Sequence, residues 1–198
     1  MAAMLRTLNP MLDMDPGCGP VSGPVSAPPA SPPTCTDSQA LNWINLYGSD
    51  SAQIANGLGV TEADILGLSS LESGWGQGPF VKAGQNYVLP SGKTIITSGG
   101  DDFFSIHETK GKLNPYAVGW NPIPGHKPAN DGMAVYNSYL DSAKSFAALY
   151  GQFVQNQSSA SSFSSALGAH GFGIGSGLDF PGILTKRINR IADCLSKM

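Results

Sequence analysis

Apolar residues recur at helical spacing along most of the chain. Leu41, Ile44 and either Tyr47 or Trp43 predict a helix over Asp37 to Tyr47. Ile54, Ala55 and Leu58 predict a second over Ser49 to Leu58. Thr61 with Asp64 three residues later is a helix start, a hydroxyl cap followed by a short acid. Ile65, Leu68 and Leu71 then form a core-facing stripe, and Gly74 and Gly76 end that helix. Glu72 lies four residues after Leu68, so this carboxylate belongs on or beside the apolar stripe.

Residues 77–135 lose the helical period. Gly, Pro and Asn are frequent, and Lys93 to Thr97 and Phe103 to Ile106 predict short strands in an irregular lobe with a β-hairpin. Helical spacing returns over Ser138–Asn156, with Leu140, Ala143, Ala147, Tyr150 and Val154 on one stripe and Phe146 and Phe153 beside it. Ser161–Leu167 predicts a short helix. Asp179-Phe180-Pro181 opens the last one, whose seam is Leu184, Ile188, Ile191 and Leu195. The fold class is therefore α+β, mainly helical. The glycines of Gly168 to Gly177 follow no strand and lack the Gly-x-Gly-x-x-Gly spacing, which excludes a nucleotide fingerprint.

Composition sets the domain boundary. Eight of the fifteen prolines fall in residues 1–34, so residues 1–36 read as a proline-rich, largely disordered tail ahead of one domain over 37–198. Met4, Leu5, Leu8, Met11 and Leu12 could form one short amphipathic turn within it. Met1 to Asp15 has no continuous apolar core, so no signal peptide is expected. No apolar run approaches the roughly 20 residues of a membrane span. A net charge of −3 without a basic cluster argues against a nucleic-acid partner.

Cys18, Cys35 and Cys194 lack metal-ligand spacing, and His107, His126 and His170 are scattered singly on loops. No metal or cofactor is expected. Cys35 opens the domain and Cys194 lies in its last helix. Domain termini often lie close together, so a Cys35–Cys194 disulfide is one reading and three free thiols the other.

Glu72 has two readings as well. It is either a surface residue at a helix end or a half-desolvated acid, whose pKa burial would raise toward neutrality. Leu71-Glu72-Ser73-Gly74-Trp75-Gly76 resembles the signature of the peptidoglycan N-acetylglucosaminidases of glycoside hydrolase family 73, in the lysozyme-like superfamily. Phe104-Ser105-Ile106 resembles that family's Phe-Gly-Ile segment. Met133 to Ser138 resembles its tyrosine-bearing segment, and Ala166-Leu167 through Gly171-Phe172 to Ile183-Leu184 its closing pattern. The likeness spans roughly residues 40–196.

The resemblance implies a lysozyme-like helical lobe and a small β-hairpin lobe flanking a glycan cleft. It makes Glu72 the general acid of a glycosidase acting on peptidoglycan. Such chemistry commonly uses a second carboxylate, for which Asp101, Asp102, Glu108 and Asp131 are candidates; the family's Thr-x-Glu hairpin is not found. Tyr136 would face Glu72 across the cleft, or else be a strand-end core tyrosine. Trp75, Trp120 and Phe104 are candidate substrate contacts, Trp75 alternatively a plug beneath its helix. A peptidoglycan substrate for a chain without signal peptide or membrane segment favours a secreted antibacterial toxin, as do the proline-rich tail and the candidate disulfide. It would be a monomer with no membrane association, acting in the periplasm of a target bacterium. Delivery by a type VI secretion apparatus is one route, phage lysis or an undetected export signal the others. A toxin of this kind calls for a cognate periplasmic immunity protein that blocks the cleft. Cleavage of the other linkage, by a muramidase or lytic transglycosylase, and glycan binding without catalysis are the competing readings.

Overall fold

The computed structural model describes residues 34–88, 94–109, 112–122, 131–172 and 179–198. The proline-rich tail and its amphipathic turn, His126 and the Gly173–Gly177 part of the glycine loop lie outside them.

The first helix, α1 (Ser38–Leu58), starts at Asp37, whose side chain accepts the Ala40 N–H, and ends at Gly59 in a left-handed conformation. Two helices expected here are one. Gly48 suggests a break, yet it sits inside the helix where another element comes close: a Cβ there would lie 2.9 Å from the Glu62 carboxylate. Just beyond it, buried Ser51 bonds the Tyr139 hydroxyl at 2.7 Å. Tertiary packing thus carries the helix through a locally poor stretch.

Helix α2 (Glu62–Glu72) has the expected capping box between Thr61 and Asp64. It is buried all round rather than along one stripe, since Ala63, Leu66, Gly67, Ser69 and Ser70 are covered as fully as Ile65 and Leu68. Ser69 and Ser70 make this tolerable by turning their hydroxyls back to the carbonyls of Leu66 and Gly67. Gly67 is where α2 meets α5 (Phe180–Leu195); a Cβ would come within 2.5 Å of Ile188 Cγ1 and 2.9 Å of its Cα. Only glycine admits that approach.

Two small antiparallel sheets follow. β1 (Ala83–Val88) pairs with β2 (Thr94–Ser98), and β3 (His107–Thr109) and β4 (Gly119–Pro122) flank β5 (Asp131–Val135). The strand expected over Phe103 to Ile106 is instead a turn. Asp101 and Ser105 adopt left-handed φ values of 51°, and the Asp102 carboxylate collects the backbone donors that strand pairing would have used.

Helix α3 (Tyr139–Val154) buries Tyr139, Ser142, Ala143, Ser145, Phe146, Gly151 and Val154. Its inner face is therefore rotated from the expected Leu140–Ala147 stripe and centred on Phe146, which stacks on Phe104. Two buried serines on that face disguise it. Helix α4 (Ala160–Ala169) and α5 complete the helical part, and Asp179 caps α5 with Pro181 in its first turn. The α5 seam runs Phe180, Leu184, Ile188 and Ile191 and finishes at Cys194, with Leu195 only partly covered. Cys194 is disulfide-bonded to Cys35, Cα–Cα 4.8 Å, tying the end of α5 to the entry of α1. Arg190 of α5 also pairs with Asp37, whose carboxyl its guanidinium holds down at about 2. The fold is mainly helical α+β, with α2 at its centre.

Candidate functional site

Glu72 is the last residue of α2. Its position follows from the helix: burial of Ile65, Leu66 and Leu68 fixes the axis, and the chain then leaves through Gly74, Trp75 and Gly76, all at positive φ (55°, 58° and 73°). Trp75 is strained at such an angle. It is held by a hydrogen bond from its N–H to the Ser70 carbonyl (2.8 Å) and by the guanidinium carbons of Arg187 and Arg190, 4.5 and 5.0 Å from its ring. Trp43 meets the ring edge-on. Trp75 thus packs between α2, α1 and α5, partly buried and with its ring engaged by two cations.

The Glu72 side chain is half-buried, and burial pushes its carboxyl up to about 7, opposed by a hydrogen bond from Ser105. It also stands at the negative pole of α2, which works against ionisation in the same sense. The Ser105 hydroxyl has a single proton, and the Glu72 backbone carbonyl competes for it at 3.4 Å. Strained Ser105 is therefore the link between the Asp102–Ile106 turn and the acid.

Asp102 is 1% exposed. Its Oδ1 accepts the N–H groups of Phe104 (3.3 Å) and Ile106 (3.1 Å). Burial raises its carboxyl to about 8, and the charges of Glu72 and Glu108 add to the rise. Glu108, on β3, is also buried. Its Oε1 accepts both the backbone N–H (3.1 Å) and the side-chain amide of Asn114. That amide reaches on to the Tyr136 hydroxyl at 3.3 Å, which in turn donates to Ser145 at 2.8 Å. Burial pushes the Tyr136 hydroxyl up, and Asp102 and Glu108 add to it. Tyr150 feels the charge of Glu72 from α3. Glu72, Asp102, Glu108 and Tyr136 therefore lie within electrostatic reach in one cluster, assembled from α2, the 102–106 turn, β3 and the end of β5.

Other sequence candidates fall elsewhere. Phe104 is fully buried between Phe146 and Tyr139, so the expected substrate contact is corrected to a core ring. Asp101, one residue from Asp102, has a carboxyl raised by burial, and its charge adds to the rise that burial causes at the Tyr47 hydroxyl. Trp120 of β4 crosses the sheet over Gly132, where a Cβ would lie 2.5 Å from its Nε1, and donates to the Glu108 carbonyl at 2.8 Å. It braces the strand that carries Glu108. The Asp131 side chain lies outside the described residues. Asn114, Ser105, Ser145 and Tyr150 were not anticipated. The Asn114-Pro115 pair is a turn signal that could have flagged the first, and its Oδ1 does accept the Tyr116 and Ala117 N–H groups. Among the described residues, no group of three or more His, Cys, Asp or Glu is arranged to hold a metal ion. No described helix is long and apolar enough to cross a membrane.

No family model matches the sequence, and no curated protein matches it. Solved structures do. A chain from a type VI secretion system effector–immunity complex of Pseudomonas protegens superposes with a TM-score of 0.61 at 24% identity, covering 82% of this chain and 97% of that one. A mutant peptidoglycan hydrolase from Sphingomonas sp. A1 gives 0.56 at 18% identity over 81% and 100%. The glycoside hydrolase domain of Salmonella typhimurium FlgJ gives 0.54 at 20% identity over 80% and 91%.

The chain has the fold of the peptidoglycan hydrolases. This is the fold implied by the resemblance at Leu71–Gly76. At these identities the likeness carries the fold alone, and the chemistry rests on the cluster around Glu72.

Proposed function

We propose that the chain is a peptidoglycan glycoside hydrolase that cuts the backbone between N-acetylglucosamine and N-acetylmuramic acid, with Glu72 as general acid. The observation that carries this reading is the Glu72 carboxyl, half-buried at the negative end of α2 and raised to about 7. An acid of that strength holds its proton near neutral pH yet can release it to a glycosidic oxygen as the bond breaks. We assign the second carboxylate to Glu108, whose Oε1 is held by Asn114, to stabilise the oxocarbenium-like centre. Tyr136, joined to the same amide, lies beside it. Two carboxyl groups of different environment are the arrangement glycoside cleavage calls for.

Purified cell walls digested with wild type and with Glu72→Gln test the reading by muropeptide analysis. Wild type should release fragments with new reducing ends on N-acetylglucosamine. Glu72→Gln should be slower by about 10²-fold or more, since its amide cannot supply the proton. Anhydro-muramic products would assign a lytic transglycosylase, and binding without release a non-catalytic module. Digestion at wild-type speed by Glu72→Gln would overturn the assignment of the acid.

We further propose an antibacterial toxin acting in the periplasm of a target cell, opposed by an immunity protein that plugs the Glu72 cleft. The fold shared with a chain of an effector–immunity complex supports this, as does the disulfide, which suits an oxidising compartment. Expression with an added periplasmic signal should lyse bacteria and expression without it should not. Harmlessness in both compartments would refute the toxin reading.

A further inference from the structure

The 102–106 turn holds a buried carboxylate oxygen that the described residues leave unsatisfied. Among them, Asp102 Oδ2 has no hydrogen-bond partner, while Oδ1 of the same group is occupied by two backbone N–H donors. Such a group is tolerable if neutral and costly if charged. The titratable groups that face it are Glu72 at the end of α2, Glu108 on β3 and Tyr136 after β5. All three are acids, so none supplies the positive charge that would hold an aspartate ionised.

We propose that Asp102 is a positioning residue that works in its protonated form, closing the 102–106 turn so that Ser105 stays against Glu72 and β3 presents Glu108 to the same cluster. The turn has no other source of order for two of its donors. Phe103 is tied separately, its N–H donating to the buried Ser142 hydroxyl of α3 at 3.1 Å. The Phe104 and Ile106 N–H groups depend on Asp102 Oδ1. Between them lies Ser105 at positive φ, which would relax if its flanking bonds loosened. Ile106 leads directly into β3, so the same carboxyl, together with the Ala134 N–H that donates to the Ile106 carbonyl at 3.0 Å, fixes where Glu108 begins.

The ionisation of Asp102 follows. Its carboxyl is raised to about 8, chiefly by burial, which outweighs the two N–H bonds on Oδ1 that favour the charged form. Below that pH the proton sits on Oδ2 and the turn is closed. Above it, a third negative charge enters beside Glu72 and Glu108 and opposes the geometry. The consequence for rate rests on the reading of Glu72 as the acid, whereas the protonation of Asp102 does not and can be measured without substrate.

The experiment uses the Glu72→Gln protein as parent, which removes the nearby titration of Glu72. Thermal unfolding is followed from pH 4 to pH 9 for Glu72→Gln and for Glu72→Gln/Asp102→Asn, the asparagine standing in for the neutral acid. A folded-state pKa above the unfolded value makes the aspartate's contribution complete below the unfolded pKa and lost as pH rises through the folded one. The melting temperature of the double variant should therefore gain on its parent by several degrees from pH 4 upward, levelling only above the raised Asp102 pKa, which lies below about 8 in this parent because the Glu72 charge is gone. A gap that stays flat over this range overturns the proposal. Carboxyl carbon-13 resonances of Glu72→Gln give the same answer without the second substitution: one aspartate should titrate above pH 7, and titration of every aspartate near pH 4 overturns it. On cell walls, Asp102→Asn alone should lose no more than about tenfold at pH 6. Its alkaline decline should follow one proton, tenfold per pH unit, where wild type loses two. Superimposable alkaline limbs refute the positioning role even if Asp102 is protonated. If wild type releases nothing, the hydrolase reading fails while the unfolding result stands by itself.

Discussion

The acid should weaken the fold that holds it. Burial moves the Glu72 carboxyl from its ordinary 4.5 to about 7. In the unfolded chain it ionises at its ordinary value, so between the two the folded state binds a proton that the unfolded state has released. The stabilising contribution of the protonated group is complete below about pH 4.5 and lost as pH rises through about 7. Each unit is worth about 1.4 kcal/mol, which sets a ceiling near 3 kcal/mol. Glu72 keeps some solvent contact, and water screens part of the penalty, leaving about 2 kcal/mol. Glu72→Gln is permanently neutral at nearly the same volume, so it should abolish hydrolysis and stabilise the protein at alkaline pH.

The assay is scanning calorimetry of both proteins at pH 4 and pH 8.5. For a domain of this size, 1 kcal/mol moves the melting temperature by about 2–4 °C. The variant should therefore melt roughly 4–8 °C above wild type at pH 8.5 and within about 2 °C of it at pH 4. Relief of the charge on neighbouring Asp102 acts in the same direction. A difference equal at both pH values would mean that the substitution acts through shape, and that Glu72 titrates as an ordinary surface acid. That result would remove the basis for Glu72 as a proton donor near neutrality.

Two further outcomes test the scaffold. Removing the Cys35–Cys194 link, which closes a loop of sequence separation 159, by Cys35→Ser/Cys194→Ser should lower stability by about 2–5 kcal/mol in urea unfolding, the chain-entropy ceiling being about 5; unchanged midpoints under reducing and oxidising conditions would show that the link carries no stability. Gly67→Ala should cost about 2 kcal/mol or more because Ile188 backbone and side chain already fill the space, whereas Gly57→Ala on α1, with nothing within 4 Å, should gain about 0.5–1 kcal/mol.

Local chemistry made some of this structure readable before any coordinates. The capping box at Thr61 and Asp64, the Asp179–Pro181 start of α5 and the glycines after Glu72 act within a few residues, so their signals survive in the sequence. Elements decided by distant partners were not readable. The continuity of α1 through Gly48 depends on Glu62 and on the Ser51–Tyr139 bond, 88 residues apart. The inner face of α3 was misplaced because Ser142 and Ser145 look solvent-facing, yet one accepts from Phe103 and the other from Tyr136. Phe104 sits beside the site residues in sequence and points into the core in space. Asn114 acquires its role only when the 112–117 segment folds back against β3.

The features that break local rules are not spread evenly over this molecule. Of the four described non-glycine residues at left-handed angles, Trp75, Asp101 and Ser105 lie close to Glu72 or Asp102 in sequence and Asn156 follows α3. Glu72 and Asp102 resist ionisation, and Asp102 leaves a buried oxygen unsatisfied, as Asp64 does at the other end of α2. Trp75 follows Glu72 by three residues, Ser105 belongs to the turn that touches it, and Asp101 immediately precedes that turn. The flanking helices α1, α3, α4 and α5 each begin at an ordinary side-chain N-cap. Strain and raised pKa values survive only where surrounding packing over-determines them, and selection keeps them where they do chemistry. Glu72, Asp102, Trp75 and Ser105 thus bring two reluctant acids and two strained residues together around the end of one helix. The same packing that buries α2 on every side supplies the stability against which that arrangement is maintained.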